Sequence, residues 1–476
     1  MFARQVLKLG SSLALTRILF PKAFGLVATA GLLSAAVEMC SDLGIRQAIV
    51  QHRRGDTRIY LDSAWMMAVV RGFILAAIMV ACAWPFAVFF KQPILFSMVS
   101  VMSLGVVLRG FTNPATLVLD RNLEVGRITA LEVGADVIRV AATIVAALWL
   151  QSVWGLVYGG LIGEGARLAG SFLIVRYVPH LHWDRQAVGE LFRYGRFVLI
   201  SGLIGYGATR LDALFVAKFL GMKIAGVYYI ATVLTRMFGE GFTQLSGRVL
   251  FPALSLRQHN AGLLRKSTTE VIHIIGIVVL PVGVLVAANA QLILAILYED
   301  RYGEAAFALR WLCIGACVTL LANSLNAPLM ATGRPYFATL GKAATLVALC
   351  VAGPVLGFAY GVEGYAGAVA LASGGFMFVT LYGCGRHGYL SLARLGTALL
   401  IPAGYAAVVV CLHALGSAQE HAITRRILLA SCDALLLAGL WVTQWKHIRA
   451  FVPQLSRSER RSCPERVQPS PAEVKE

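Results

Sequence analysis

Residues 63–90 read SAWMMAVVRGFILAAIMVACAWPFAVFF, a run of 28 residues with one charge, Arg71. About 20 apolar residues cross the hydrocarbon layer as a helix, so this run can span a membrane with some tilt. The same reading extends in both directions. Further apolar segments lie at 2–20, 24–50, 94–119, 126–150, 153–175, 195–219, 224–251, 269–297, 306–331, 338–359, 362–384, 395–416 and 424–445, which makes fourteen in all. Composition agrees. Of 476 residues 58% are hydrophobic and 14% charged, against about 25% charged in a soluble domain. The polar surface is too small to cover the two or three soluble domains that this length implies. The chain therefore reads as an all-α polytopic membrane protein with about 14 transmembrane helices.

Charge tests that count. With the N-terminus cytoplasmic, the even connections and the tail carry 24 Lys and Arg, among them Arg53, Arg121, Arg193, Arg265, Arg334 and Arg386. The odd connections carry six: Lys22, Lys91, Lys223, Arg301, Arg425 and Arg426. A wrong span count scrambles such an alternation, so both termini are expected in the cytoplasm. The net charge of +18 is then an orientation signal and implies no nucleic-acid partner. No loop is long enough to fold as an outside domain. Nine cysteines sit singly, most in apolar stretches, and suggest no disulfide framework. The start lacks a cleavable-signal pattern. Arg4 and Lys8 fall within the first segment, where snorkelling to the cytoplasmic surface is expected unless translation starts further upstream. The tail 447–476 is basic, proline-bearing and reads as disordered.

Charges inside the spans carry the functional signal. A mid-helix charge disfavours insertion by about 2.5–3.5 kcal/mol, and many together call for a water-filled cavity. The candidates are Arg17, Glu38, Asp42, Arg71, Arg109, Glu132, Asp136, Arg139, Glu164, Arg167, Arg210, Asp212, Lys218, Arg236 and Glu240. Arg17, Arg46 and Lys218 equally fit interfacial anchors. Asp136 and Arg139 are spaced i, i+3, and Arg236 and Glu240 i, i+4, so each pair can bridge along its helix. Arg210 and Asp212, two apart, point to different faces. Six arginines from six spans (Arg17, Arg71, Arg109, Arg139, Arg210, Arg236) suit a polyanionic head group, because the guanidinium fork matches phosphate and stays charged. A cation exporter would need Asp and Glu instead. Asp42, Asp136, Asp212 and Glu240 are the candidates for ion coupling or cavity ion pairs. Gly159, Gly160 and Gly163, and Gly374 with Gly375, permit close helix approach. Pro252, Pro281, Pro328, Pro354 and Pro402 are candidate helix breaks. No G-x-S-x-G, H-E-x-x-H or Walker motif is present, and the nine histidines are dispersed. No catalytic residue, metal or cofactor is implied, and energy would come from an ion gradient or from the substrate's own.

An ordered series of motifs resembles one family. Leu15–Thr16–Arg17–Ile18–Leu19 with Phe20–Pro21 and Phe24–Gly25 is similar to the opening of bacterial oligosaccharide flippases. Ser41–Asp42–Leu43–Gly44, Val70–Arg71–Gly72, Asn113–Pro114 and Asp120–Arg121–Asn122–Leu123 continue it, although Val125 replaces the usual Phe. Leu211–Asp212–Ala213–Leu214 with Phe219–Leu220–Gly221 and Gly226–Val227–Tyr228–Tyr229 is the most specific block, and Leu250–Phe251–Pro252 and Thr332–Gly333–Arg334 complete it. Over about 10–385 the chain looks like the colanic-acid-exporter-like branch of the polysaccharide transporter family, within the multidrug/oligosaccharidyl-lipid/polysaccharide exporter superfamily.

The resemblance implies two pseudo-symmetric six-helix lobes around a central cavity: an N-lobe at 1–177, a linker at 178–194 and a C-lobe at 195–386, with accessory helices at 387–446. It implies a bacterial inner-membrane flippase for polyprenyl-diphosphate-linked oligosaccharide units. Membrane lipids, and a polysaccharide polymerase with chain-length or export proteins, would be its partners. Cavity arginines carry over at Arg17, Arg71 and Arg210; Arg109, Arg139 and Arg236 rest on burial alone. The alternatives are an ion-coupled drug or metabolite antiporter of the same superfamily, a membrane-embedded polysaccharide polymerase, and a scaffold without transport. The first conflicts with the arginines, the second with the absence of a sizeable outside loop, and the third with the intramembrane charges.

Overall fold

The computed structural model describes residues 2–39, 57–122, 124–175, 177–180, 185–245, 254, 260–298, 300–390, 396, 400, 404–409, 429–438 and 440–441. Asp42, Pro252, Pro402, the tail 447–476, the second half of 24–50 and most of 395–416 lie outside them. The described residues form helices and turns, with no strand among them. The protein is an all-α, polytopic membrane protein. Six described helices are long and apolar enough to cross a membrane, and Ile94–Gly110 and Leu429–Ala438 are shorter apolar helices.

α1 (Phe2–Ile18) and α2 (Pro21–Met39) cover the first segment and the start of the second. Pro21 opens α2, where its missing N–H is no loss. α3 (Arg58–Phe90) and α4 (Ile94–Gly110) form a hairpin closed by Lys91, which takes the left-handed φ of 55° and caps the Ala87 and Val88 carbonyls. The segment expected as one run at 94–119 is two helices, because α4 stops at Gly110 and α5 (Thr116–Arg121) restarts beyond a turn. Asn113 makes that turn: its Oδ1 accepts from the Ala115 N–H at 3.1 Å, and Pro114 cannot continue a helix. α6 (Val125–Leu150) and α7 (Trp154–Ile174) pair as a second hairpin. Gly155, Gly159 and Gly163, one turn apart on α7, lie against Ala147, Thr143 and Arg139 of α6. This is the close approach expected of Gly159 and Gly163; Gly160 faces open space.

α8 (Arg185–Phe219) starts at Arg185 rather than at 195, because polar helix formers extend a helix beyond its apolar part. α9 (Met222–Leu245) follows Gly221, whose φ is 87°. It meets α2 backbone to backbone. A Cβ on Gly25 would overlap the Met222 carbonyl oxygen, and one on Gly226 would overlap that of Pro21. α10 (Ala261–Ala288) starts ahead of the expected 269, capped by Asn260, whose Oδ1 accepts from the Leu263 N–H at 3.0 Å. It ends at Asn289, and α11 (Ala290–Leu297) follows, so 269–297 is also two helices. α12 (Ala305–Ala331) and α13 (Tyr336–Arg386) follow. α13 holds both the eleventh and twelfth segments, joined at Gly361 with φ 62° and ψ −130°. Pro281, Pro328 and Pro354 lie inside helices that continue through them. The breaks expected there fall at Asn113, Asn289 and Gly361 instead.

Val347, Val351 and Val355 recur every fourth residue on α13, each 65% exposed. In a spanning helix such a stripe faces lipid. The chain divides into two compact units. One holds Met1–Ala231, Leu294–Ala305 and Leu349–Tyr365; the other holds Thr232–Ile293, Ala306–Ala348 and Ala366–Glu476. The second has its own apolar core, with Leu254, Leu264, Ile272, Leu325, Leu329 and Phe337 buried together.

Candidate functional site

The first unit gathers charge from six of its helices into two clusters. In the first, Arg109 in the last turn of α4 grips Glu38 of α2 with both ends of its fork, Nη1 and Nη2 each 2.7 Å from a carboxylate oxygen. Arg71 of α3 donates through Nη2 to the Glu38 carbonyl oxygen at 3.3 Å. Glu164 of α7 brings its Oε2 to 3.8 Å from Arg109 Nε. That buried Oε2 accepts no hydrogen bond among the described residues, and the buried Arg167 Nε, almost one turn further on, makes none. In the second cluster Arg4 of α1 binds Asp136 through Nε at 2.7 Å and Glu132 through Nη1 at 2.5 Å. Arg139 completes it at 3.2 Å from Asp136, the pairing that its i, i+3 spacing allows.

Both clusters offset the cost of burying charge in the same way, by pairing each carboxylate with a guanidinium. Asp136, 4% exposed, is held by two arginines. Arg4 therefore does not snorkel outward as expected of a cation near the chain start. α1 packs along α6, which puts two carboxylates beside it.

Asp212 of α8 is buried and has a different partner. The Tyr228 hydroxyl of α9 donates to its Oδ2 at 2.5 Å. Arg210 does not pair with it, as their spacing of two implies. Arg210 instead lies half-buried on α8. Arg17 is exposed in the last turn of α1 and makes no hydrogen bond or ion pair among the described residues. Lys218 behaves as an anchor: its ammonium donates to the Phe89 carbonyl and sits 3.8 Å above the Phe89 ring. Arg236 is half-buried on α9 within the second unit. Its expected partner Glu240 has a side chain outside the described residues, as Asp42 is altogether.

A third polar centre lies where α7 gives way to its following strap. Asp62, in the first turns of α3 and 4% exposed, accepts from the Tyr177 hydroxyl at 2.6 Å and from the His180 N–H at 2.9 Å. Asn113 holds the same strap, donating to the Tyr177 carbonyl at 2.8 Å. Burial and the neighbouring Asp62 carboxylate push the Tyr177 phenol above its usual range. Neither Asp62 nor Tyr177 stands out in the sequence, since a lone acid at a span end reads as solvated. Tyr228 enters the sequence reading only as part of the Gly226–Tyr229 motif, with no role attached. Arg4 carried a visible signal, its charge inside an apolar segment.

The fold and these clusters define a class: a multi-pass helical membrane protein with paired charges held among its spanning helices. The chain belongs to the polysaccharide biosynthesis protein family, whose model matches residues 14–307. It is 24% identical over 324 residues to the lipopolysaccharide biosynthesis protein WzxC of Escherichia coli (strain K12), covering 67% of this chain and 65% of that one. It is 21% identical over 334 residues to the succinoglycan biosynthesis transport protein ExoT of Rhizobium meliloti (strain 1021), covering 70% and 65%. The chain thus spans 65% of the length of each relative. Among solved structures, the fold is similar to that of the lipid II flippase MurJ in an inward closed conformation, with a TM-score of 0.73 at 10% identity, over 94% of this chain and 98% of that one.

Proposed function

We propose that the protein is a flippase for polyprenyl-diphosphate-linked oligosaccharide units, acting in the bacterial inner membrane in exopolysaccharide, capsule or O-antigen biosynthesis. One observation carries the reading: Arg71, Arg109, Arg139 and Arg210, from four helices of one compact unit, are held among membrane-spanning segments. A diphosphate head group fits such a set, and sugar hydroxyls and phosphates do not cross hydrocarbon unaided. The relatives' names, a lipopolysaccharide biosynthesis protein and a succinoglycan transport protein, support the same substrate class.

The lipid tail stays in the bilayer while the head group enters from the cytoplasmic side. Arg17, Arg71, Arg109, Arg139, Arg210 and Arg236 bind it. Two lobes, 1–177 and 195–386, then rock to open the site outward, with 387–446 accessory. Asp42, Asp212 and Glu240 are the acids proposed to couple this to an ion. The charge alternation of the loops supports an inner-membrane protein with both termini cytoplasmic. The role is transport, with no covalent chemistry and no cofactor. A polymerase and chain-length or export proteins would take up the product.

The test is a strain lacking the gene with its polysaccharide pathway active. Complete repeat units should accumulate on the cytoplasmic face. Wild type should release them, and Arg71→Ala and Arg210→Ala should not at equal expression. Units reaching the outer face without the protein would sink the proposal.

A further inference from the structure

The Arg109–Glu38 pair differs from the other intramembrane pairs in geometry. Asp136 is shared by two arginines through single hydrogen bonds. Glu38 instead fills the whole fork of Arg109, two bonds of 2.7 Å to two carboxylate oxygens. That is the seat a phosphate group takes on an arginine, two parallel N–H donors meeting two oxygens. The seat is not sealed: the Arg109 side chain is 39% exposed and that of Glu38 28%. Around it, polar capacity is left over. Arg167 Nε, on the same face of α7 as Glu164, is a buried donor without an acceptor among the described residues, whereas Glu164 Oε2, 3.8 Å from Arg109 Nε, is itself an acceptor and adds negative charge. A carboxylate has two oxygens and satisfies only the fork; a diphosphate has more oxygens and can also reach further donors.

We propose that Glu38 is a built-in competitor for the substrate, occupying on Arg109 the place that the lipid diphosphate takes. This rests on the flippase reading above and adds a residue to it. The physical consequence is a lowered apparent affinity. A ligand that must displace an internal group binds with its intrinsic affinity scaled by the fraction of time the seat is vacant. For a transporter this is useful, because a seat that refills itself releases the head group on the far side of the membrane. Arg71, held on the Glu38 carbonyl, keeps the carboxylate within reach of the fork.

The test is binding of undecaprenyl diphosphate to the full-length protein in nanodiscs. Glu38→Gln keeps the shape and removes the competing charge. It should bind about five- to tenfold more tightly than wild type. Glu164→Gln controls for net charge, since it removes an equal charge from the same cluster without emptying the fork, and its gain should be much smaller. The gain of Glu38→Gln should vanish in a double variant with Arg109→Ala. Glu38→Asp, with a shorter reach, should fall between wild type and Gln; it also serves if Glu38→Gln does not fold. Equal gains for Glu38→Gln and Glu164→Gln, or no gain for Glu38→Gln, would overturn the competitor and leave the flippase intact. Absence of diphosphate-lipid binding by wild type and every variant would overturn both.

Discussion

A single side chain decides how the strap after α7 is held. The Tyr177 phenol, raised above its usual range, donates to the Asp62 carboxylate at 2.6 Å. Ionising it would place two negative charges together, so the folded state favours the protonated phenol. A group whose folded pKa lies above its unfolded value contributes stability that is whole below the unfolded pKa, about 10 for Tyr, and lost as pH rises beyond. Wild type should therefore exceed Tyr177→Phe by about 1 kcal/mol from pH 7 to 9, and the margin should shrink above about pH 10. Detergent melting curves across that range check it; a margin that persists at the alkaline end argues against the Asp62 contact. At this scale the sequence was only partly legible. Arg71, Arg109, Arg139 and Arg210 announce themselves because a charge in an apolar run is costly. Their partners do not. Glu38 and Glu164 were visible as charges, yet nothing in their spacing says that one will fill the Arg109 fork while the other stands aside. Arg4 was misread for the same reason: its partners lie more than a hundred residues away.

At the scale of elements, apolar runs located the helices well and their joints less well. The eleventh and twelfth segments are separated in sequence at 359–362, and the turn falls there, at Gly361. Gly361 holds φ 62° and ψ −130°, a combination that costs a side-chain-bearing residue about 1–3 kcal/mol. Gly361→Ala should lower stability by that amount, whereas Pro354→Ala, at a proline the helix already accommodates, should not. Comparing the two melting temperatures in the same detergent separates them, and equal shifts would remove Gly361 as the joint. Hydropathy placed the joint but credited the prolines with breaks that Asn113 and Asn289 make. Asn113 closes its turn through its own side chain, and a hydropathy window cannot see a side chain bonding to its own backbone. The amphipathic start of α8 was missed because its polar residues sit outside the apolar window.

For the whole molecule, the alternation of Lys and Arg makes a definite statement about sidedness. Alkaline phosphatase, active only outside the cytoplasm, should report activity when fused after Lys91 and none when fused after Asn122. Activity in the reverse pattern would invert the topology and with it the direction proposed for transport. The fold class was legible at this scale because it follows from a bulk property, a shortage of polar surface. The seam between α2 and α9 has a consequence of its own. Gly25 and Gly226 bring two main chains together with no side chain between them. Such a meeting fixes one spacing, because the atoms in contact are main chain and cannot turn aside as a side chain can. It works as a doorstop. One added methyl on either glycine would leave the door ajar.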